Sequence, residues 1–468
     1  MSILALAPLL AVVAGALLSL LLEAFLKKKD HEPSVLAAVL SLCSAGLLIV
    51  LSWQRGLTYF GGRLSLDPMA LLLMAVFVLV SVFVVLMSLV YGPRRAINLG
   101  QLSGLLLFAL AGLMIMVSSK DWLVVFLGLE VLSVASYALT GLKRNDRASA
   151  EAAAKYFLMG SFAGAFFVFG LALLYGTSGR LDFGVGPAAG AGPTIGLGLI
   201  LTALFFKIAI APFHMWAPDV YDGAPMPVTA FLTIAPKAAG LVVLFRALPP
   251  HIGSGGSISV FGPAVMVAAI LTMFAGNLAA LRQTSVKRLL AYSAIAHSGY
   301  LLVAVAAGDG PGLVFYIIAY VFMNAGAFGV LAALSGGGVE GASLSEVAGL
   351  GRRHPWLAAS LSVFLLSLAG IPPTAGFLAK FYVFSAAVAK GQIVLAVAAV
   401  MASLISVAYY LKVIVAMYMR DSESEPSIES DAPALALVIF LCLFGVIELG
   451  LWPGNLLTLI RQALTGLF

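Results

Sequence analysis

Residues 204–225 read LFFKIAIAPFHMWAPDVYDGAP. The first half is apolar enough to enter a bilayer, yet it carries an amine at Lys207 and a helix breaker at Pro212. A lysine near the centre of a membrane helix costs about 2.5–3.5 kcal/mol on insertion scales. Proline lacks the backbone N–H and crowds the carbonyl four residues back, so a helix through Lys207 should break just beyond it. A charge placed beside a break, at the depth where both are least tolerated, points to a helix that handles ions.

Composition sets the surroundings of that helix. The chain has 468 residues, 62% hydrophobic and 10% charged, with a mean hydropathy of +1.09. Soluble globular chains carry about 25% charged residues, so this is an all-α polytopic membrane protein. The net charge of +6 is no nucleic-acid signal, because the basic residues fall in short loops between apolar runs and form no patch or tail. Cys43 and Cys442 both lie inside apolar runs, which excludes a disulfide framework or a CxxC metal pair. The first apolar run begins at Ile3, ahead of the cationic cluster Lys27-Lys28-Lys29. That order reverses a signal peptide's, and the run reads as a retained first span.

A span needs about 20 mostly apolar residues. Fourteen are expected, near 3–26, 34–53, 68–91, 99–118, 121–142, 152–175, 193–216, 224–247, 258–280, 288–308, 311–334, 356–386, 391–419 and 434–460. Loops after odd-numbered spans hold 14 Lys and Arg, among them Lys143, Arg144, Lys287, Arg288, Arg352 and Arg353; the opposite side holds 7. Cationic loops stay in the cytoplasm, so both termini are expected on the outer, periplasmic side. The acidic stretch DSESEPSIESD (421–431) reads as a solvated linker in the last cytoplasmic loop.

Five cations remain inside spans, and all are lysines: Lys155, Lys207, Lys237, Lys380 and Lys412. Arginine stays protonated at any physiological pH, whereas a buried lysine can approach neutrality. Lys155 and Lys412 lie within a turn or two of a cytoplasmic end, where the long stem can snorkel to water. Lys207, Lys237 and Lys380 lie deeper or beside helix breaks. Glu130 is mid-span, with no cation nearby in sequence; a lone buried carboxylate would protonate, so it needs a partner from another helix or a task. His297 shares a helix face with Ser293 and Tyr300, which makes either a satisfied structural network or a polar relay.

A second break, GIPPTAGFLAKF (370–381), falls in the twelfth expected span, with Pro372, Gly376 and Lys380 at four-residue spacing. Spans seven and twelve differ by an odd number and so cross in opposite directions. Paired interrupted helices in an inverted repeat point to an ion site near the midplane. A shift of five spans sets Glu130 against His297, Lys207 against Lys380, and Lys237 against Lys412. The expected organisation is therefore N-terminal spans in 1–98, two inverted five-helix half-channels in 99–250 and 251–420, and a loop with a final span in 421–468. The turn after the first break, HMWAPDVYDGAPMP, holds Asp219 and Asp222, which read as turn residues, and His214, which either sits in that turn or extends a proton path.

The strings FLGLEVLSVASYALTG, AAAKYFLMGSFAGAFFVFGLALLYG, FFKIAIAPFHMWAPDVYDGAPMPVTAF, LRQTSVKRLLAYSAIAHSGYLL and LAGIPPTAGFLAKFY resemble the subunit N family of bacterial respiratory complex I, the proton-pumping NADH:quinone oxidoreductase. The resemblance covers roughly residues 100–415 well and the flanking spans by hydropathy. It implies a proton-translocating subunit in the bacterial cell membrane, an enzyme only as part of its complex. Glu130 would be the carboxylate of the fifth span and Lys207 its partner, with Lys237 the connecting lysine, Lys380 the terminal one, and His297 on the central axis. It also implies other membrane subunits as partners, both antiporter-like and small, with FMN, iron–sulfur clusters and quinone held elsewhere in the complex. The alternative family reading is a subunit of a multisubunit cation/proton antiporter. An independent permease fits less well, because the buried polar groups are lysines strung over many spans and form no compact pocket.

Overall fold

The loops decide where each helix begins. A computed structural model of the chain describes residues 6–25, 31–53, 57–185, 190–248, 261–335, 343–421 and 432–465. Lys27–Lys29, Arg55 and most of the acidic stretch, 422–431, lie outside the described residues. The helices are α1 (Ala7–Phe25), α2 (Glu32–Ser52), α3 (Pro68–Arg94), α4 (Leu99–Ser118), α5 (Trp122–Thr140), α6 (Arg147–Ser178), α7 (Ala191–Lys207), α8 (Ala217–Gly223) and α9 (Met226–Ala247). They continue as α10 (Phe261–Leu281), α11 (Val286–Ala307), α12 (Gly310–Leu334), α13 (Leu344–Val347), α14 (Leu350–Arg353), α15 (Pro355–Ala369), α16 (Ala375–Ala389), α17 (Ile393–Met419), α18 (Pro433–Leu451) and α19 (Gly454–Leu464). Short polar side chains start many of them: Asp67, Asn98, Asp121, Asp146, Ser285 and Asp309 each accept a bond from a first-turn N–H. Such a cap satisfies a donor that the helix itself leaves free.

Twelve of the described helices are long and apolar enough to cross a membrane, and the chain is a multi-pass membrane protein. The seventh and twelfth expected spans are instead built from shorter pieces. Helix α7 stops at Lys207, and the twelfth is divided into α15 and α16. The fourteenth expected span is shorter than its sequence suggests: α18 ends at Leu451, and α19 is a separate helix with only Ile460 and Ala463 fully buried.

Successive loops alternate between two ends of the bundle. A two-stranded hairpin, β1 (Leu57–Tyr59) with β2 (Leu64–Leu66), meets the 119–121 and 180–183 loops through the bridges Leu64–Ser119 and Asp121–Asp182. Arg63 faces Asp121 at 3.5 Å, and Arg246 at the end of α9 makes a two-pronged pair with Asp67 at 2.6 and 2.8 Å. At the other end Arg288 bonds Asp219 at 2.9 Å, and Asp219 also accepts from Lys155 at 2.9 Å.

Some cations expected in solvated loops are buried structural links. Lys287 is fully buried and donates to the carbonyls of Asp222 and Ala224 at 2.6 and 2.7 Å, pinning α11 to the end of α8. Arg246 keeps only 4% of its side chain exposed. Counting a charge by its loop misses this, because an amine can leave water where freed carbonyls wait for a donor.

Helices α9, α11 and α12 form the centre and are almost wholly enclosed, whereas α1, α2, α6 and α17 present most of their residues outward. Apolar burial drives little helix association inside lipid, so close backbone packing matters more. Gly276 of α10 lies against α11, where a Cβ would stand 2.6 Å from the Ala296 nitrogen.

Candidate functional site

Both helix breaks close in the same way. After α7, the Ile210 N–H reaches back to the Phe205 carbonyl at 2.8 Å and Ala209 N–H to Phe206 at 3.0 Å. After α15, Ile371 bonds Leu366 at 3.1 Å and Gly370 bonds Ser367 at 2.9 Å. The residue that turns the chain is left-handed in each case, Ala209 at φ 58° and Gly370 at φ 88°. This is the double bond that ends helices at a left-handed residue. Trp216 adds a third donor at the first break, its indole N–H bonding the Phe206 carbonyl at 2.9 Å.

Aligned on those left-handed residues, Pro212 matches Pro373, but Lys207 matches Leu368 rather than Lys380. Each amine nevertheless belongs to its own break. Lys207 is the last residue of the half-helix before its break, while Lys380 extends from the half-helix after its break and donates to the carbonyls of Leu368 and Ala369, both at 2.9 Å. Free carbonyls and the negative end of the helix dipole make that terminus a cation site. Ser403 of α17 completes it at 2.9 Å, and the Tyr300 ring lies 5.0 Å from the nitrogen. Of the three residues expected on one helix face, Gly376 and Lys380 lie in α16, whereas Pro372 precedes it in the non-helical segment. Beside Lys380 a groove of about 810 Å3 opens between α16 and α17.

Lys207 is buried and donates to Ser133 of α5 at 2.8 Å and to the Tyr156 hydroxyl of α6 at 3.2 Å. Glu130 lies one turn before Ser133 on α5, half-buried, and Lys207 is the charge that acts on it. No ion pair within 4 Å joins them among the described residues; Ser133, which holds Lys207, donates its own hydroxyl to the Leu129 carbonyl at 2.5 Å. From Lys207 an aromatic bridge leads inward. Tyr156 stacks on Trp216 at 4.5 Å, Trp216 meets Tyr221 edge-on at 5.6 Å, and the Tyr221 ring lies 5.3 Å from the Lys237 nitrogen.

Lys237, on the fully enclosed α9, donates to the Ala294 carbonyl of α11 at 2.7 Å. His297 follows one turn along α11 and is bracketed by hydroxyls: Tyr316 of α12 at 3.0 Å on Nδ1 and Tyr410 of α17 at 3.5 Å on Nε2. Tyr410 is also hydrogen-bonded to Ser293. Tyr300 packs edge-on against the imidazole, but its hydroxyl goes to Asn277, which Tyr409 bonds as well. The tyrosines are what sequence reading missed; Tyr409-Tyr410 inside an apolar run, and Tyr316 one turn from Tyr320, were the available signals. Lys155 and Lys412 stay outside this chain of contacts. Lys155 is at the surface with Glu151 and Asp219, and Lys412 donates to the Gln283 carbonyl at the end of α10.

A membrane bundle with two interrupted helices and a buried line of amines between them is an antiporter-like architecture. A family model described as NADH:quinone oxidoreductase/Mrp antiporter, TM matches residues 119–406. NADH-quinone oxidoreductase subunit N of Trichlorobacter lovleyi is 40% identical over 97% of this chain and 95% of its own length. The subunit N of Chloroflexus aggregans is 40% identical over 98% of this chain and 96% of that one. A chain in the structure of respiratory complex I from Thermus thermophilus with bound aureothin is 33% identical, covers 96% of this chain and 98% of its own, and has a TM-score of 0.83. The Mrp complex from Dietzia shares the fold at a TM-score of 0.85 and 22% identity, over 100% of this chain and 98% of that one. The chain belongs to the NADH-quinone oxidoreductase subunit N family.

Proposed function

We propose that this chain is the antiporter-like, proton-translocating membrane subunit of an NADH:quinone oxidoreductase, and that Glu130, Lys207, Lys237, His297 and Lys380 carry the proton. The observation that bears most weight is the burial of three lysines in the protein interior, each held by hydroxyls or main-chain carbonyls with no carboxylate bonded to it among the described residues. Such amines gain no ion-pair stability that would repay their insertion cost. They are suited instead to exchanging a proton.

An ionised Glu130 favours the protonated form of Lys207 through the low-dielectric interior. When that support weakens, through movement of the pair or a competing charge from a neighbouring subunit, Lys207 releases its proton inward toward Lys237. His297 relays it to Lys380, the terminal group toward the outer side. The driving reaction belongs to the rest of the complex, where FMN, iron–sulfur clusters and quinone carry the electrons. This chain's part is to hold and move protons at the named nitrogens and oxygens.

Sidedness follows the cation count: the end with Asp219 and Arg288 faces the cytoplasm, and both termini face outward. The shared closure of the two breaks supports two inverted half-channels, residues 99–250 and 251–420, within a fourteen-span arrangement. The near-full-length similarity to subunit N chains favours the oxidoreductase over a free-standing cation/proton antiporter.

The test is proton pumping by the assembled enzyme carrying Lys207→Ala or Lys380→Ala. A fall of at least about tenfold in protons moved is expected, as for loss of a positioned proton-transfer group. Normal pumping and electron transfer in both variants overturns the assignment.

A further inference from the structure

Helices α9 and α12 pack side by side at the centre of the bundle and run in opposite directions. Their register is fixed by one bond: the Asn324 amide donates to the Thr233 hydroxyl at 2.6 Å. In an antiparallel pair, one turn forward on one helix faces one turn back on the other. One turn from Thr233 is Lys237, and one turn back from Asn324 is Tyr320. The register thus sets the Tyr320 side chain across from the connecting lysine.

Tyr320 is enclosed on all sides, and its hydroxyl is one of the few buried polar atoms among the described residues with no hydrogen-bond partner. Its ring lies over the His297 imidazole at 5.0 Å. Its hydroxyl is within electrostatic reach of both Tyr221, whose ring faces Lys237, and Tyr410, whose hydroxyl faces His297 Nε2. Lys237 donates to the Ala294 carbonyl with the Tyr221 ring 5.3 Å from its nitrogen, and a protonated amine has further donors to offer. A buried hydroxyl left without a partner keeps the full penalty of leaving water. The next helix offers an ammonium donor, and an internal water needs only two to four such polar neighbours.

We propose that Tyr320 is a positioning residue for proton transfer: its hydroxyl holds internal water between Lys237 and the Tyr410–His297 pair. This rests on the reading of Lys237 and His297 as proton carriers. A proton leaving Lys237 breaks one N–H bond as a water O–H forms. The water and the Tyr410 hydroxyl each give up one proton as they gain another, and a proton arrives at His297 Nε2, while Tyr320 keeps its own O–H and holds the water in line. No electron moves, and every hydroxyl ends as it began.

Tyr320→Phe removes the hydroxyl and keeps the ring on His297. In the assembled oxidoreductase, pumping should fall at least fivefold, with a solvent deuterium isotope effect larger than the parent's. Packing alone would not change that isotope effect. Unchanged pumping and isotope effect in Tyr320→Phe, alongside impaired Lys207→Ala, overturns the role of Tyr320 and leaves the lysine path standing. Silence in Lys207→Ala and Lys380→Ala instead removes the path itself. A cryo-EM map of the unmodified complex that resolves waters provides a second measurement, independent of whether the variant assembles. Density within hydrogen-bond distance of both Tyr320 Oη and Lys237 Nζ is expected, and a dry gap there overturns the proposal.

Discussion

Asp67 shows what a single carboxylate does at the end of the bundle. It caps α3 through the Ala70 N–H at 2.9 Å and grips Arg246 with both oxygens. Burial pushes its carboxyl up, but the Arg246 charge and hydrogen bonds, with the Ala70 N–H, outweigh that and hold it below the ordinary 3.8. A depressed folded value stabilises the native state above the unfolded carboxylate's value, and that contribution disappears as pH falls through the folded one. Thermal unfolding followed against pH should therefore show the parent losing stability below about pH 4. Asp67→Asn should lack that acid-dependent loss and be less stable by about 3 kcal/mol at neutral pH, since it strands a buried guanidinium. At this scale the sequence was uneven. The three buried lysines and His297 stood out because each breaks an apolar run, whereas Lys287 and Arg246 were hidden by their place near loops. The tyrosines bonded to His297 were hidden because a tyrosine in a membrane helix is unremarkable until its hydroxyl is located.

Among the elements, the two breaks carry the most information. Pro212 and Pro372 announced them, but the closure that follows each half-helix depends on hydrogen bonds that no spacing reveals. That is why the shift of five spans matched Lys207 to Lys380, while the turn geometry matches Lys207 to Leu368. The first break uses alanine where a left-handed residue is required, and Ala209 at φ 58° pays a steric penalty that glycine escapes. Ala209→Gly should stabilise the subunit by about 1 kcal/mol, read as a raised unfolding temperature in detergent. The second break already has Gly370, and it has a tighter constraint nearby. A Cβ on Gly376 would stand 1.8 Å from the Ser367 carbonyl oxygen, so Gly376 lets α16 approach the end of α15 closely enough for Lys380 to reach its carbonyls.

For the molecule as a whole, hydropathy made the all-α multi-pass character plain, because long apolar runs have few other uses. The joints were less legible: α19 was merged with the last span since its apolar residues continue the run, although only one side of it is buried. Sidedness is open to direct measurement. Cysteine placed at exposed Thr458 on α19 should react with a membrane-impermeant maleimide added to the outer face of intact cells, in a background lacking Cys43 and Cys442. Cysteine at exposed Arg144 should react only in inverted vesicles. The opposite pattern would reverse the direction assigned to the path.

The wrapping of α9, α11 and α12 by the other helices has an electrical consequence. A helix with its side chains is about 10 Å across, so the charged line through Lys237 and His297 is clad on its flanks by a sheath of that thickness. Image forces from the lipid are blunted, and stray ions dissolved in the bilayer meet insulation before they meet the conductor. On the proposed path the subunit works like a shielded cable, loaded and unloaded at its terminals and insulated along its length.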